Sequence, residues 1–238
     1  MRLTDFKALS FDCYGTLIDW ETGLSAALAP LAGRAGKPVD DEALASFGTL
    51  ESAVQAAHPG WLYPAVLAEV HRRLAERWQV ARDSAEEAAF AASVGDWPAF
   101  ADTPAALFYL KRHFRLIVLS NIDKRSFALS NLRLGVEFDR ILTAEEIGSY
   151  KPDPRNFEFL VGRLAEDGIS KDEILHVAQS LFHDHVPANR IGLASAWIDR
   201  RSGRGGGATP VPDEGVHYDF RFETLQQLAD AHRAELGG

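Results

Sequence analysis

An apolar run that ends on a carboxylate constrains the fold of this chain more than any other feature. Residues 8–11 (Ala-Leu-Ser-Phe) precede Asp12, and the small-residue turn Cys13-Tyr14-Gly15-Thr16 follows it. The run predicts a buried strand, and open α/β sheets place their chemistry at the carboxyl ends of parallel strands. Asp12 is therefore the candidate nucleophile. The same residues are also compatible with a strand end followed by an ordinary turn.

A second predicted strand, residues 114–119, ends on a hydroxyl and an amide, Ser120 and Asn121. A hydroxyl together with nearby backbone N–H groups can hold an anionic group of a substrate. The same pair can instead cap the helix that follows. The Ser-Asn pair is therefore a candidate anion-binding site, with helix capping as the alternative.

Two charged residues occur later in the chain. Lys151 is followed by Pro152, and residues 174–184 are predicted to form a strand followed by a polar turn and a helix start, with Asp184 at their end. Most lysines are solvated surface charges, and aspartate favours the N-cap of a helix such as the one predicted over residues 186–191. Lys151 can therefore be a surface charge and Asp184 a helix cap, or both side chains can act on a substrate.

In this order, the four stretches resemble the motifs of the haloacid dehalogenase superfamily. The resemblance extends from Asp12 to Asp184 and so covers most of the chain. It implies that Asp12 attacks the substrate and is regenerated by hydrolysis of an acyl intermediate. It also implies that Ser120 helps to hold an anionic substrate group and that Lys151 stabilises the charge on Asp12.

Two positions depart from the pattern of the superfamily's phosphatases. Tyr14 stands where those enzymes carry the acid that protonates the leaving oxygen, and Gln179 stands where metal-dependent members carry a magnesium ligand. An amide oxygen is a weak ligand for Mg²⁺, which prefers carboxylate and water oxygens. Tyr14 is the pattern of the dehalogenase-like branch, which cleaves bonds to carbon and in which Asp184 orients or activates the hydrolytic water. The sequence therefore predicts a metal-independent hydrolase without a cofactor.

The segment between the first two motifs is rich in Ala, Leu and Glu and has helical periodicity without strand-like alternation. It predicts an inserted α-helical cap, residues 19–98, on a core made of residues 1–18 and 99–238. In the family that the chain resembles, a cap at this point closes over the nucleophile and excludes water, which lets a carboxylate attack carbon. The predicted apolar faces of its helices are Ala43, Phe47 and Leu50 on one helix and Val66, Val70, Leu74 and Trp78 on another.

Several other side chains are candidates to contact a substrate. Trp20, Trp61 and Trp97 can line a site closed by the cap, although a tryptophan in a helical domain more often belongs to its core. Imidazole titrates near neutral pH, so a histidine beside Asp184 can assist the attack of water. Thr16 steadies the charge on Asp12 in the same scheme. The predicted substrate-binding residues are Tyr14, Trp20, Ser120, Asn121, Ser180, His183 and His185.

Helix and strand patterns alternate after the predicted cap. A helix start at Thr103-Pro104, short strands over residues 140–143 and 195–198, and a closing helix over residues 222–236 predict a Rossmann-like, doubly wound parallel sheet of the α/β class. The glycine-rich stretch over residues 200–215, which includes Gly203-Arg204-Gly205-Gly206-Gly207, is interpreted as a loop. It is not a phosphate cradle, because no helix start follows its glycines.

Net charge and composition limit the classes of partner that this chain is expected to bind. The chain has 238 residues and a formal net charge of −9, which argues against nucleic acid or an anionic membrane surface. The single Cys13 excludes an internal disulfide and a cysteine-based zinc site. We see no signal peptide and no apolar run long enough to span a bilayer, so a cytoplasmic location is predicted. The expected partner is a small carboxylic acid substrate; a homodimer is compatible with the sequence, which leaves the oligomeric state open.

Within the dehalogenase-like branch, the chain is most similar to azetidine-2-carboxylate hydrolases, which open a strained cyclic amino acid. This similarity extends through residues 12–23, 148–152 and 183–197. L-2-haloacid dehalogenases share the four motifs but carry an arginine early in the cap that receives the halide. This chain has no Lys or Arg from Pro38 to Val70, Leu181 stands near an asparagine of those enzymes, and Phe157 replaces a tyrosine.

The predicted reaction is attack by Asp12 on the α-carbon of a small 2-substituted carboxylic acid, through an aspartyl-ester intermediate. Ring opening of L-azetidine-2-carboxylate is the first substrate assignment. L-2-haloacid dehalogenation, a metal-dependent phosphatase and a catalytically silent binding protein are the alternatives.

Overall fold

The computed structural model describes residues 1–203, 212 and 215–237, and six parallel strands in it form one sheet. In chain order the strands are β1 (Ala8–Phe11), β2 (Arg115–Ser120), β3 (Arg140–Thr143), β4 (Ile174–Ala178), β5 (Ala194–Ile198) and β6 (Phe220–Phe222). The order across the sheet is β3-β2-β1-β4-β5-β6. This arrangement confirms the predicted parallel α/β sheet, with β1 at its centre.

Helices connect the successive strands from β1 to β5, because parallel strands need crossover connections. The α-helices of the described residues are α1 (Trp20–Arg34), α2 (Asp41–Ala57), α3 (Tyr63–Arg77), α4 (Ser84–Ala92), α5 (Thr103–Leu110), α6 (Lys124–Leu134), α7 (Ala144–Ile147), α8 (Arg155–Glu166), α9 (Val186–Arg190) and α10 (Leu225–Gly237). None of them is both long and apolar enough to cross a membrane.

The central strands are buried on both faces, which explains their nearly continuous apolar sequences. Successive side chains of a strand point to opposite faces, so Leu9 and Phe11 of β1 join the larger apolar core, whereas Ala8 joins the smaller one around α8. Ser10 shares the face of Ala8. The one polar side chain of β1 therefore points into an otherwise apolar interior, where it needs a hydrogen-bond partner.

Helices α1 to α4 form a segment between β1 and α5 that we call the helical insert, and the described structure of this segment contains no strand that joins the sheet. The side chains of Asp40 and Asp83 cap α2 and α4, because each carboxylate accepts from free backbone N–H groups at the helix start. Helix α3 packs against both α2 and α4. Its buried residues include Val66, Val70 and Leu74, which confirms the predicted apolar face of that helix; Trp78 is half-buried and caps its end.

The apolar face predicted for α2 is confirmed and is wider than predicted. Ala43 and Phe47 are buried and Leu50 packs half-buried against the same core, but the next residue, Glu51, is buried as well. The buried stripe of α2 continues through Val54 and Gln55. Glu51 lies four residues after Phe47 and therefore on the same face of the helix, so its carboxyl group points into the interior.

The two connections of the helical insert to the sheet run side by side. The backbone N–H of Asp19 donates to the carbonyl of Pro98 at 2.8 Å, and the N–H of Phe100 donates to the carbonyl of Leu17 at 3.1 Å. Ile18 and Ala99 form an antiparallel bridge between them. The insert therefore enters and leaves the rest of the fold through one hydrogen-bonded neck.

The carboxy-terminal region differs from the prediction. Phe220–Phe222 adds a sixth strand at the edge of the sheet, and the closing helix begins at Leu225 rather than at Phe222. A three-residue edge strand with an exposed arginine at its centre is too short to give a recognisable alternation. The predicted glycine-rich loop lies largely outside the described residues, because the structure describes only residues 200–203, 212 and 215 of it.

Candidate active site

The candidate site lies where three adjacent strands end. Asp12 follows β1, Ser120 ends β2, and Gln179 follows β4, and these strands are neighbours in the order β2-β1-β4. The N–H of Asp12 still donates to the carbonyl of Val177, so the register of the sheet fixes the nucleophile candidate. The sheet thus brings together the strand ends that the sequence had marked separately.

Asp12 is buried, and both of its carboxylate oxygens accept hydrogen bonds. Thr16 Oγ1 donates to Oδ2 at 2.8 Å, and Lys151 Nζ donates to Oδ1 at 2.9 Å. The turn between Asp12 and Thr16 depends on Gly15, whose φ is +94° and where a Cβ would come within 2.9 Å of Trp20 Nε1. Glycine is needed there for both reasons, and it lets Thr16 fold back onto the carboxylate.

Lys151 is only 2% exposed and lies between two carboxylates. Its Nζ donates to Asp12 Oδ1, to Asp184 Oδ1 at 2.6 Å and to the carbonyl of Leu119 at 2.9 Å. Burial by itself would lower the pKa of this lysine, but the two carboxylates outweigh burial and raise it. Lys151 is therefore a fixed ammonium at neutral pH, not the solvated surface lysine of the alternative interpretation.

Asn121 holds the backbone of Lys151. Its Nδ2 donates to the carbonyl of Lys151 at 3.0 Å, and its Oδ1 accepts from the N–H of Lys151 at 2.6 Å. Asn121 also lines the cavity described below. Because both amide atoms hydrogen-bond to the Lys151 peptide, we expect Asn121 to position the backbone of Lys151. Its role as a ligand of the substrate carboxylate stays a prediction. The helix that follows is capped by Asp123, so neither Ser120 nor Asn121 serves as its cap.

Asp184 is held from behind by a buried histidine. His176 Nε2 lies 2.9 Å from Asp184 Oδ1, and His176 Nδ1 lies 2.6 Å from Ser10 Oγ. Ser10 is the polar residue of β1 noted above, so this hydrogen-bonded row satisfies it. Burial would raise the pKa of Asp184, but Lys151 and His176 hold it well below the usual value for an aspartate. Asp184 is ionised, and its other oxygen, Oδ2, has no hydrogen-bond partner among the residues described.

A π-helical turn, residues Leu181–His185, aims Asp184 inward. Ser180 caps this turn, accepting from the N–H of His183 at 3.0 Å, while the side chain of Asp184 caps nothing. The alternative interpretation of Asp184 as an N-cap is therefore wrong. A π-turn holds an extra residue relative to an α-turn, which alters the direction of the side chains that follow.

Burial also acts on Asp12. It raises the pKa of this carboxyl, the negative charge of Asp184 raises it further, and Lys151 opposes both effects. The two carboxylates of the site thus differ: Asp184 is the weaker base and Asp12 the stronger. A more basic carboxylate is a better nucleophile, so the environment favours Asp12 over Asp184 for attack.

A small cavity of about 60 Å³ opens beside Asp12. A buried water needs roughly 10–15 Å³ of such volume, so the cavity accommodates a ligand of only a few non-hydrogen atoms. Ser120 Oγ lies in its wall and is buried with no hydrogen-bond partner in the described part of the chain. The full lining is Asp12, Tyr14, Trp20, Glu51, Gln55, Tyr63, Ser120, Asn121, Lys151, Ser180, His183 and Asp184.

Several predicted residues line this cavity. Tyr14 does so with its hydroxyl 2.9 Å from Ser130 Oγ, and Trp20 lies edge-on to Phe47. His183 also lines it, 3.2 Å from the hydroxyl of Ser180, and burial lowers the pKa of this histidine to about 4. His183 is therefore a neutral imidazole at pH 7.

Other predicted contacts lie elsewhere. His185 is buried, with Nδ1 3.0 Å from Ser195 Oγ and Nε2 3.0 Å from the carbonyl of Ala178, so it faces the core instead of the cavity. Burial lowers its pKa to about 4. Trp97 packs edge-on behind Tyr14, and Trp61 stacks on His58 with over a third of its surface exposed. Of the three predicted tryptophans, Trp20 alone is among the residues that line the cavity.

Sequence reasoning missed three cavity residues, all from the helical insert: Glu51 and Gln55 of α2 and Tyr63 of α3. Tyr63 donates its hydroxyl proton to Glu51 Oε1 at 2.6 Å. Burial raises the pKa of Glu51 to about 7. The signal was present in the chain: an acidic residue lies on the apolar stripe of α2, four residues after Phe47.

The side chains beside Asp12 do not fit a magnesium site. Both oxygens of Asp12 already accept from Thr16 and Lys151, and the hydroxyl of Tyr14 lies against Ser130. Gln179 contributes an amide, and its backbone N–H donates to Thr16 Oγ1 at 2.9 Å. Magnesium prefers several carboxylate and water oxygens in octahedral geometry. Within the described residues, no group of three or more His, Cys, Asp or Glu side chains could hold a metal ion.

The fold is similar to that of solved dehalogenases. The crystal structure of a defluorinating L-2-haloacid dehalogenase aligns with a TM-score of 0.78 at 22% identity, covering 98% of this chain and 99% of that one. At this identity the similarity shows the shared fold alone.

Sequence relatives point in two directions. An (S)-2-haloacid dehalogenase of Pseudomonas sp. (strain YL) is 32% identical over 104 residues, which cover 42% of this chain and 43% of that enzyme. A glyceraldehyde 3-phosphate phosphatase of Methanopyrus kandleri is 33% identical over 104 residues, covering 43% of this chain and 42% of the relative. The chain thus matches less than half the length of either relative.

The family assignment rests on a longer match. The family model for haloacid dehalogenase-like hydrolases matches residues 6–178, which include Asp12, Ser120 and Lys151. That match covers more than half of the chain and contains the strands at whose ends the candidate site is built. This chain belongs to the haloacid dehalogenase-like hydrolases.

Proposed function

We propose that this hydrolase uses Asp12 to displace a leaving group from the α-carbon of a small 2-substituted carboxylic acid. The observation that carries the proposal is the Asp12 carboxylate, held by Thr16 and Lys151 at the wall of a cavity of about 60 Å³. Displacement at carbon gives an ester between Asp12 and the substrate. The small cavity supports a substrate of few atoms.

The substrate carboxylate has a candidate partner in Ser120. Its Oγ is buried in the cavity wall and has no hydrogen-bond partner in the described chain, so a bound anion would satisfy it. Lys151 is close by and, within the residues that the structure describes, is the one Lys or Arg that lines the cavity. A carboxylate that binds to the Ser120 hydroxyl would keep the α-carbon near Asp12.

Hydrolysis of the ester would use Asp184. Asp184 Oδ2 has no partner among the described residues, whereas Oδ1 is fixed by Lys151 and His176. A water molecule that donates to Oδ2 would be oriented toward the carbonyl carbon of the Asp12 ester. Lys151 would stabilise the negative charge that develops on that carbonyl oxygen.

We assign ring opening of L-azetidine-2-carboxylate as the reaction. A departing halide is stabilised by a free cation, but Lys151 already binds two carboxylates, and the described lining contains no arginine. A ring nitrogen leaves as an amine when it is protonated, and it needs no cation beside it. L-2-haloacid dehalogenation is the second candidate, which the similarity to an (S)-2-haloacid dehalogenase supports.

A substrate panel tests the assignment. We expect kcat/KM for L-azetidine-2-carboxylate to exceed that for 2-chloropropionate at least about tenfold, or roughly 1.4 kcal/mol in transition-state stabilisation. Equal rates, or a preference for the halide, would replace ring opening by dehalogenation and leave the attack by Asp12 in place. Hydrolysis of a generic phosphate ester alone would favour a phosphatase, and no turnover of any member would favour a binding protein.

A further inference from the structure

Glu51 has an environment that the proposed chemistry of Asp12 does not explain. It is 8% exposed, it lies on the buried stripe of α2, and its carboxyl group lines the cavity. Tyr63 donates to it at 2.6 Å. Within the described residues it forms no ion pair with a lysine, arginine or histidine, unlike the two carboxylates at the base of the site.

A buried carboxyl without a counterion is costly to the fold. Removing a charge from water costs several kcal/mol unless an opposite charge compensates it, and an apolar side chain at this position of α2 would pack without that cost. Burial accordingly raises the pKa of Glu51 to about 7, so the group is close to half-ionised at neutral pH. A cation that enters the cavity would supply the missing partner and favour the ionised form.

The charges around the cavity specify what kind of ligand fits. Three carboxyl groups, Asp12, Glu51 and Asp184, face one ammonium, Lys151, and the imidazole of His183 is neutral at pH 7. Lys151 is shared by Asp12 and Asp184 and lies beside Leu119 of the sheet, whereas Glu51 comes from the helical insert. The cavity therefore has, on its helical side, a carboxyl group without a counterion in the described chain.

We propose that Glu51, oriented by the hydroxyl of Tyr63, binds a positively charged nitrogen of the substrate. This inference rests on the proposed function, because it places that nitrogen on the α-carbon that Asp12 attacks. The ligand class is a small zwitterion whose carboxylate meets Ser120 and whose ammonium meets Glu51. A halide at the same position would be repelled by the ionised carboxyl.

The atoms balance for a cyclic amino acid. An Asp12 oxygen forms a bond to the α-carbon, the C–N bond breaks, and its electron pair stays on a nitrogen that already carries two protons and leaves as a neutral primary amine. Water then adds to the Asp12 carbonyl carbon. One of its protons ends on the product hydroxyl, and the other ends on the amine, which becomes an ammonium that Glu51 can again bind.

Binding to an inactive enzyme tests the role of Glu51 without turnover. In the Asp12→Asn background, calorimetry at pH 8 compares L-azetidine-2-carboxylate with cyclobutanecarboxylate, which has the same ring size and carboxylate but no nitrogen. We expect the nitrogen-containing ligand to bind at least about tenfold more tightly, because a buried charge pair is strongly coupled. Adding Glu51→Gln, which keeps the size and an acceptor for Tyr63, should abolish this preference and leave binding of the cyclobutane unchanged.

Glu42→Gln is the matched control, since Glu42 lies exposed at the start of the same helix and should leave both affinities unchanged. The proposal is overturned if the preference for nitrogen persists in the Glu51→Gln variant or is absent from the Asp12→Asn parent. Turnover separates the two hypotheses. Glu51-dependent binding without any ring-opened product would contradict the proposed reaction alone, whereas ring opening at an unchanged kcat/KM in the Glu51→Gln single variant would contradict the role of Glu51 alone.

Discussion

The two sides of the cavity treat buried charge in opposite ways. On the side of the sheet, Asp12 and Asp184 share the ammonium of Lys151, and further donors from Thr16 and His176 complete their hydrogen bonds. On the side of the helical insert, the hydroxyl of Tyr63 is the one side-chain donor to Glu51 in the described part of the chain. One side is compensated before substrate arrives; the other is compensated only when a cation binds.

This difference separates reactivity from selectivity. A carboxylate that is fixed by an ammonium and a hydroxyl has a constant position and charge, which suits a nucleophile. A carboxyl whose charge depends on its ligand rewards one class of substrate and penalises others. The sheet would then set the reaction and the insert would set which small acid undergoes it.

The largest expected effect is the loss of turnover when the nucleophile on the sheet side is replaced. Asp12→Asn should abolish turnover, because an amide cannot form the ester, while the fold stays close to intact. A single turnover of the unaltered enzyme in heavy-oxygen water should place the label in the Asp12 side chain, with the first product unlabelled. Label found directly in that product would mean that water attacks the substrate, and the covalent scheme would be wrong.

Removing the shared cation tests whether the sheet side is compensated as described. Lys151→Met leaves Asp12 and Asp184 buried without their shared ammonium, so we expect the free energy of unfolding at pH 7 to fall by about 3–5 kcal/mol. Denaturant titration measures this loss. Lys124→Met is the control, because Lys124 is well exposed and lies 3.7 Å from its acidic partner, and it should change stability by less than about 1 kcal/mol. Similar losses in both variants would contradict a special role for Lys151.

On the insert side, the ionisation of Glu51 should make the stability of the protein depend on pH. Glu51 releases its proton at its ordinary pKa of 4.5 in the unfolded chain but only at about 7 in the folded one, so the folded state loses stability as the pH rises between these values. Glu51→Gln removes this penalty. Its stability relative to the unaltered protein should therefore rise from pH 4 to a plateau above pH 7, by up to about 3 kcal/mol.

Thermal or denaturant unfolding at pH 4 and pH 8 gives this difference directly. Glu42→Gln should show no comparable change between the two pH values, since its carboxyl is exposed. A stability difference for Glu51→Gln that does not depend on pH would mean that Glu51 is ionised normally in the folded protein.

The last prediction is that removing or adding a metal ion has no effect on activity. Because Tyr14 and Gln179 replace acidic ligands and both Asp12 oxygens are already hydrogen-bonded, kcat/KM should be unchanged by a chelator and by added magnesium. The assay uses the best substrate of the panel before and after chelation. A rate that rises with magnesium, with a phosphate ester as the preferred substrate, would restore the phosphatase alternative.

The sheet side could be predicted from the sequence to a large extent. Asp12, Ser120 and the strand before Gln179 each follow an apolar run, and parallel strands bring such ends together. The position of Lys151 could be inferred only from its resemblance to the family, because no strand leads directly into it. His176 was hidden for a physical reason: it lies within a buried strand, where a histidine does not reveal that its ring faces a carboxylate.

The insert side was harder to predict. Whether Glu51 or Leu50 is buried depends on how α2 and α3 pack together, and a shift of one residue moves a helical position by about 100°. The prediction that His185 contacts the substrate was wrong for a local reason. The π-turn directs the side chains of Asp184 and His185 to different sides. At a helix start, a residue next to a catalytic candidate in the sequence need not point its side chain toward the same site.

The paired connections at Leu17–Asp19 and Pro98–Phe100 have a consequence for how such enzymes diversify. Because the chain enters and leaves the insert at one point, through the Ile18 and Ala99 bridge, we expect the length and sequence between these connections to change with little displacement of the ends of β1 and β2. We therefore expect such a segment to be exchangeable between homologues as one unit. Grafting the segment from an enzyme with different substrate preference would then transfer that preference to the same nucleophile.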